Sequence, residues 1–304
     1  MSEARTLVLG EALIDVVRSP DGAVAEHPGG SPANVALGLA RLGHPVSLRT
    51  SIGSDDRGAL IAAHLEPEGV ELAPGSRTEG PTSVAEATLD ATGAATYHFE
   101  LGWEVAPPVS VDDTTHLHTG SIAATLEPGA TAVLDAVERA RTGATVSYDP
   151  NARPSLMGQP QDVRAKIEQI IGLSDLVKAS DEDVHWLYDG AAIPEVMRLW
   201  GRLGPTVVVV TRGGEGAVVA VNGVVASLAA PKVTVADTVG AGDSFMAGLI
   251  SGLLDAGLLG GTEARAALRA AGMEQVRPAV ERALACAAVT VSRAGANPPR
   301  RDEI

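Results

Sequence analysis

Short runs of β-formers alternate with helical patterns along most of this 304-residue chain, and that alternation restricts the possible folds more than any other feature. The spacing predicts strands at Thr6–Gly10, Val46–Ile52, His116–Gly120, Thr145–Asp149, Leu176–Ala179 and Val207–Thr211. Between them it predicts helices at Pro32–Leu42, Arg57–Glu68, Gly129–Arg141 and Gln161–Gly172. Such βαβ units build an α/β fold: a doubly wound, mostly parallel sheet with helices on both faces. Ligands of such sheets bind at the carboxyl ends of the strands. Asp15, Asp149, Asn151, Thr211 and Asp243 all fall near or just past predicted strand ends. Two stretches break the alternation. Val16–His27 and Thr82–Trp103 are rich in β-formers, carry turn signals (Pro20-Asp21-Gly22 and Asp90-Ala91-Thr92-Gly93) and hold no helical pattern. Each reads as a hairpin, the two forming a small sheet apart from the main one; two unrelated surface hairpins are the plainer alternative. A further hairpin is expected at Gly216–Ala229, turning at Asn222-Gly223. No repeat, low-complexity tract or interdomain linker is evident, so a single domain over residues 1–304 is expected.

Charge narrows the choice of partner. A formal net charge of -15 argues against nucleic acid and anionic membrane, both of which need a basic face. An acidic chain that binds an anionic ligand must gather positive potential locally, from helix N-termini, a few Arg or Lys, and a metal. Aromatics are only 3% of the chain, so the core must rest on Ala, Val and Leu. Cys286 is the single cysteine, which excludes an internal disulfide; in its alanine-rich run it is expected to be a buried thiol. Met1-Ser2-Glu3-Ala4-Arg5 leads directly into a strand, with no apolar leader, and no run is long enough to span a bilayer. A cytoplasmic protein is expected.

The chemistry gathers in two glycine-rich segments. Asp237-Thr238-Val239-Gly240-Ala241-Gly242-Asp243-Ser244-Phe245 follows a strand-like run, Pro231–Ala236, and enters a long apolar helical pattern, Ser244–Leu259. Its glycines allow a tight turn. The N–H groups from Gly240 to Asp243 would then point out of a helix N-terminus, where phosphate is attracted. Asp243 at that spot fits a helix N-cap and equally a general base beside a phosphate in transfer. The local sequence leaves both readings open. The second segment, Pro28–Gly43, reads as a turn, a helix start at Ser31 or Pro32, and an amphipathic helix closed by Gly43. Gly29-Gly30 permits a ligand to approach the backbone closely, and Asn34 offers a donor and an acceptor toward the same loop. Taken alone, this segment is an ordinary loop–helix junction.

Together, at opposite ends of one α/β chain, the two segments resemble the signature segments of the PfkB, or ribokinase-like, carbohydrate kinase family. The resemblance extends over nearly the whole chain. Leu9-Gly10-Glu11-Ala12-Leu13-Ile14-Asp15 looks like the first strand of the bacterial fructokinase branch. Asp149-Pro150-Asn151-Ala152-Arg153-Pro154 resembles that branch's Asp-x-Asn-x-Arg element. Thr211-Arg212-Gly213-Gly214-Glu215-Gly216-Ala217 looks like the family's nucleotide-side Thr-x-Gly-x-x-Gly turn, and Ala283–Pro299 is similar to its C-terminal region. One element departs. Where the family usually has Asn-x-x-Glu, this chain has Ser180-Asp181-Glu182-Asp183: the acid is one methylene shorter, and Ser replaces the amide.

The resemblance implies a ribokinase-like fold with residues 16–27 and 82–103 as a β-sheet lid, often paired across a two-fold axis into a homodimer. It implies ATP-dependent phosphorylation of a sugar primary hydroxyl, with fructose the leading acceptor and 2-keto-3-deoxygluconate, ribose and nucleosides as rivals. A non-catalytic sugar-binding regulator is the rival from another class; the intact Gly240-Ala241-Gly242-Asp243 element argues against it. Asp243 is then the base, at a helix N-terminus that favours a carboxylate, and the N–H groups of Gly240, Ala241 and Gly242 form the anion hole. Asp15, Gly29, Gly30, Asn34, Asn151 and Arg153 are assigned to the sugar. Asp15 could instead cap a turn, and Arg153 could equally form a surface ion pair. Thr211, Gly213, Gly216, Lys178 and Asn297 are assigned to the nucleotide. Asp183 is placed on Mg²⁺ through water; Asp237 reads first as ordering its loop, and the resemblance also offers it, with Val239 and Gly295, to a monovalent cation such as K⁺. Tyr97, Phe99 and Trp103 either close over an apolar sugar face or pack inside the lid; His116 and His118 read as structural. The chain has no Gly-x-x-x-x-Gly-Lys-Ser/Thr loop, which argues against a P-loop kinase.

Overall fold

The computed structural model describes residues 4–89 and 95–304; the turn signal at Asp90–Gly93 lies outside the described residues. In chain order the strands are Thr6–Leu9 (β1), Leu13–Arg18 (β2), Val24–Gly29 (β3), Val46–Arg49 (β4), Ile52–Gly53 (β5), Val70–Leu72 (β6), Arg77–Thr78 (β7), Val84–Leu89 (β8) and Ala95–Glu100 (β9). They continue with His116–Gly120 (β10), Thr145–Asp149 (β11), Leu176–Ser180 (β12), Val207–Thr211 (β13), Ala217–Val221 (β14) and Val224–Leu228 (β15). The helices are Ser31–Arg41 (α1), Asp56–Leu65 (α2), Gly129–Ala140 (α3), Pro154–Met157 (α4), Pro160–Leu173 (α5), Asp181–Leu187 (α6), Ile193–Leu203 (α7), Ala241–Asp255 (α8), Thr262–Ala270 (α9) and Met273–Val291 (α10).

Nine strands form the main sheet in the order β15-β14-β13-β12-β11-β10-β1-β4-β6. It is parallel throughout except where β14 and β15 turn back as a hairpin on β13. The Val207–Val210 run shows why the sheet is covered twice. Val207 and Val209 point into the core under α1, α8 and α10, while Val208 and Val210 point into the core under α5 and α7. A strand buried on both faces reads as a continuous apolar run. Among the exceptions are the buried histidines of β10. His116 contacts Thr145 and Ser147 hydroxyls at 2.9 and 3.0 Å, and His118 contacts Ser147 at 3.0 Å. Burial pushes both imidazoles down to about 3, so they are neutral hydrogen-bonding members of the core.

α8 is the long apolar helix behind the glycine-rich turn, and it lies unusually close to α10. A Cβ on Gly252 would fall 2.5 Å from Ala279 Cα, and one on Gly248 would fall 2.8 Å from Cys286 Sγ. On the other side, a Cβ on Gly38 of α1 would lie 2.6 Å from Ala247 Cβ. Cys286 is fully buried here, and burial pushes its thiol up to about 12. Among the described residues no helix is long and apolar enough to cross a membrane.

The two irregular stretches pair into one four-stranded sheet, β3-β2-β8-β9, with both hairpins antiparallel and β2 parallel to β8. Several expectations change. The strand-like run at Pro231–Ala236 forms no strand: β15 is already the sheet edge, and the run is exposed, anchored by Ala236 N–H to Val291 O at 2.7 Å. Val46–Ile52 is two strands, interrupted at Thr50-Ser51. Asp15 stands mid-strand in β2, opposite His27 and Ala85, not at the end of the first strand. Trp103 is only 4% exposed and packs against Val105 and Val109, its indole N–H donating to Ala123 O at 3.0 Å. It is core, and only Tyr97 and Phe99 remain on the small sheet, stacked 6.1 Å apart.

Candidate active site

Gly240 caps α8 with φ +73°, and a Cβ there would fall 2.6 Å from Ala296 Cβ, so only glycine fits. The next turn presents its backbone donors outward. Among the described residues the N–H groups of Gly240, Gly242 and Asp243 have no acceptor. Ala241, expected to share in this opening, donates to Thr238 O at 3.3 Å instead. A cation supports the turn from behind: Lys178 Nζ lies 3.0 Å from where a Gly242 Cβ would be. Lys178 in turn donates to Asp149 Oδ2 at 2.8 Å, in an ion pair buried on both sides. Burial raises Asp149 to about 6 even against the Lys178 charge, and Lys178 is held above its ordinary value by Asp149 in spite of its own burial. Above pH 6 the pair is therefore ionised, next to the positive end of α8.

Asp243 is 8% exposed. Both of its oxygens are held from α1: Ser31 Oγ donates to Oδ1 at 2.6 Å, and Asn34 Nδ2 donates to Oδ2 at 2.8 Å. Each carboxylate oxygen still has a second lone pair with which to accept a proton. Neither contact follows from local sequence. Ser31 reads as a helix start, yet the cap is Gly30 with φ +103°, and the hydroxyl reaches a partner 212 positions away. Asn34, assigned to the sugar, spends its donor on Asp243 in this structure.

Asp15 faces the same cleft. A Cβ on Gly29 would fall 2.1 Å from Asp15 Oδ2, so the absence of a side chain there makes room for the carboxylate. Burial pushes Asp15 up to about 6; the charges of Arg153 and His27 pull it down and that of Asp243 pushes it up. Arg153 donates to Asn151 Oδ1 at 2.8 Å and to Ala152 O at 3.1 Å. The surface ion pair weighed for it does not occur among the described residues. Asn151 takes a left-handed φ of +36°, with its N–H on Asp149 Oδ1 at 3.2 Å. Glu11, quoted in the sequence but given no role, is 5% exposed and accepts Ala123 N–H at 3.2 Å. Burial lifts it to about 7, with Arg153 again pulling down.

On the β13 side, Thr211 Oγ1 donates to Ala179 O at 3.3 Å. Gly213 and Gly216 both have positive φ, and a Cβ on Gly216 would lie 2.0 Å from Leu228 O. Asn297 accepts the Arg41 guanidinium at 2.6 Å, which ties the C-terminal segment to α1. Asp183 forms a capping box with Ser180: its Oδ2 accepts Ser180 N–H at 2.8 Å, and Ser180 Oγ accepts Asp183 N–H at 3.0 Å. Its Oδ1 accepts Ala152 N–H at 2.7 Å. Asp183 thus locks the Asn151–Arg153 loop onto α6. Asp237 joins two loops, accepting N–H from Val239 at 3.0 Å and from Gly295 at 2.8 Å. Those two bonds hold it below the usual carboxylate range. Among the described residues no group of three or more His, Cys, Asp or Glu could hold a metal ion.

A family model described as pfkB family carbohydrate kinase matches residues 3–303. A fructokinase of Klebsiella pneumoniae is 36% identical over 265 residues, covering 83% of this chain and 85% of that relative. A fructokinase of Escherichia coli is 33% identical over 304 residues, covering 96% and 95%. Among solved structures, a Xylella fastidiosa fructokinase with bound ATP superposes with a TM-score of 0.87 at 26% identity, over 98% of this chain and 96% of that one. A Vibrio cholerae O395 fructokinase double mutant, in fructose-, ADP- and potassium-bound form, gives a TM-score of 0.80 at 26% identity over 97% and 94%.

Proposed function

The chain belongs to the pfkB family of carbohydrate kinases, and on that premise we propose that it is a fructokinase, transferring the terminal phosphoryl group of ATP to fructose to give fructose 6-phosphate. The observation that carries this reading is Asp243: a buried carboxylate, gripped by Ser31 and Asn34, at a helix N-terminus with unpaired N–H groups. Asp243 accepts the proton of the primary hydroxyl as its oxygen bonds to phosphorus and the bond to ADP breaks. The N–H groups of Gly240 and Gly242, backed by Lys178, balance the charge on the phosphoryl oxygens. Asp15 accepts hydrogen bonds from neighbouring sugar hydroxyls, beside Gly29, Gly30, Asn34 and Asn151. The nucleotide lies along Thr211, Gly213, Gly216 and the Gly295–Asn297 segment.

Mg²⁺ would supply charge neutralisation on the polyphosphate. The donor set suits an ion that arrives with the nucleotide, since among the described residues no cluster of acids, His or Cys would hold one and both Asp183 oxygens already accept backbone N–H groups. K⁺ would sit by the loop pair that Asp237 joins, on backbone carbonyls such as that of Val239. The chain acts as one domain in the cytoplasm, where ATP is abundant. Its small sheet closes over the sugar as a lid, and two lids pair into a homodimer. Light scattering that shows only monomer at working concentration removes the dimer without touching the activity.

A second acceptor has one observation in its favour. Arg153 has no acid partner among the described residues, and its charge reaches Asp15 and Glu11, which would suit a keto-acid sugar. Initial rates over ketoses, pentoses, nucleosides and 2-keto-3-deoxygluconate decide between them. Fructose is expected to give the highest kcat/KM, and Arg153→Ala to leave it largely intact. Activity confined to the acidic sugar and abolished by Arg153→Ala replaces fructokinase with the keto-acid reading.

A further inference from the structure

A cavity of about 660 Å³ opens at the end of the main sheet away from Asp243. Its floor is apolar, formed by the buried Met197, Val208 and Ala220. Its rim carries Arg198 and Arg202 of α7 and Arg269 of α9, all exposed, and no carboxylate lines it. Among the described residues none of these three arginines forms an ion pair, whereas arginines such as Arg139, Arg265 and Arg282 each sit against an acid. The wall is fixed: Asn222, in the β14–β15 turn, donates to Arg269 O and Ala271 O at 3.1 and 3.0 Å. β13 separates this cavity from the candidate active site, with Thr206 and Val208 lining the cavity and Thr211 at the other end of the strand.

Arginines near helix C-termini are favoured by the helix dipole. That accounts for Arg202 and Arg269 one at a time. It does not account for three arginines lining one concavity that no carboxylate lines, with Arg198 Nε on Pro194 O at 3.1 Å, in a chain of net charge -15. Guanidinium forks match carboxylate and phosphate oxygens, and the volume suits a metabolite-sized guest. We propose that this cavity is a second, accessory site for a small polyanion, two or more phosphate or carboxylate groups on a compact body. The site is independent of the proposed sugar specificity.

Calorimetric titration of the whole chain at low salt tests it, with citrate as the carboxylate probe and fructose 1,6-bisphosphate as the phosphate probe. At least one probe is expected to bind at this site with a Kd on the order of 10⁻⁴ M, weakening as salt rises. The combined Arg198→Gln, Arg202→Gln and Arg269→Gln variant should bind it at least about tenfold more weakly, the loss of one charge-assisted hydrogen bond or more. Its kinase turnover without added anion should equal that of the parent, which verifies the fold. Restoring the three charges as lysines should recover only part of the affinity. Binding confined to citrate or to the bisphosphate identifies which oxyanion the site prefers. Failure of both probes to bind the parent chain, or equal affinity in the glutamine variant, overturns the proposal.

Discussion

Asp243 is held where α8 packs against α1 and nearly every side chain is buried, whereas Asp15, which feels its charge, stands on a four-stranded sheet with an open outer surface. There Gly38 of α1 touches Ala247, and in the seam between α8 and α10 Gly252 touches Ala279, with no room for a single added methyl. On the small sheet, Val24 and Tyr97 are 49% and 63% exposed, and the Arg18–Glu86 pair lies at the surface. The contrast separates two demands. Transfer of a phosphoryl group needs its base and its anion hole fixed to a fraction of an ångström, and close packing supplies that. If the small sheet is the lid proposed above, sugar entry would need that wall to be lightly attached, and a sheet of four strands would supply that.

The contrast breaks most visibly at its rigid end. Asp243→Asn keeps the shape and one oxygen that accepts from α1, with the Ser31 hydroxyl free to turn and accept from the new amide, but removes the proton acceptor, so kcat should fall by about 10²–10⁴-fold with little change in either KM. Near-normal turnover in the folded variant would remove Asp243 from the chemistry.

On the thin wall the expected loss is smaller and takes another form. Asp15→Ala should lower kcat/KM for the sugar by about 10–150-fold, the equivalent of one hydrogen bond to a charged group, and leave the KM for ATP near the parent value. The same residue predicts a pH dependence. Its folded-state value is about 6 against an ordinary 3.8. Stability from this group is therefore complete below pH 4 and lost as pH rises through 6, while the carboxylate proposed to bind the sugar is lost as pH falls through 6. The sugar KM should rise below pH 6, and urea midpoints of Asp15→Asn should lack the corresponding drop, on the order of 1–3 kcal/mol. A sugar KM flat from pH 5 to 8 would show that Asp15 does not bind as a carboxylate.

Packing predicts a smaller change again in activity but a clear one in stability. Gly252→Ala should destabilise the chain by about 1–3 kcal/mol in chemical denaturation, because Ala279 cannot yield without moving α10. A neutral result would mean that the seam has slack. Tyr97→Ser is the mildest: thermal unfolding at low concentration should shift by less than about 0.5 kcal/mol, as for most surface changes. If the small sheets pair between two copies, the same variant moves the association constant instead, which sedimentation would detect.

How far the sequence could be read follows the same division. The strands at Val207–Thr211 and Thr145–Asp149 are legible to the residue, because each run is too short for a helix and rich in β-formers. Pro231–Ala236 also holds β-branched residues, at Val233, Thr234 and Val235, and forms no strand, since a run becomes a strand only where a partner strand waits for it, and that is a property of the whole sheet. The glycines at 29, 30, 216 and 240 could be recognised as necessary because each marks a backbone position that admits no side chain. Side-chain partnerships could not. Ser31 with Asp243, Lys178 with Asp149 and Arg41 with Asn297 each join segments far apart in the chain, and no local periodicity encodes them. Trp103 was misplaced for a related reason: it follows the small sheet in sequence but its indole finds an acceptor in the main core.

Cys286 turns the α8–α10 seam into something that can be timed. Its sulfur is the only thiol, lies against Gly248 with no exposed surface, and is held protonated by burial up to about 12. Thiolate is the reactive form, so in the closed protein an alkylating reagent meets neither an accessible nor a reactive sulfur. The rate of labelling therefore counts the moments at which α8 parts from α10. Since α8 also carries Asp243 at its first turn, that single number would measure how often the proposed base loses its footing, and ligands that steady the helix should slow the clock.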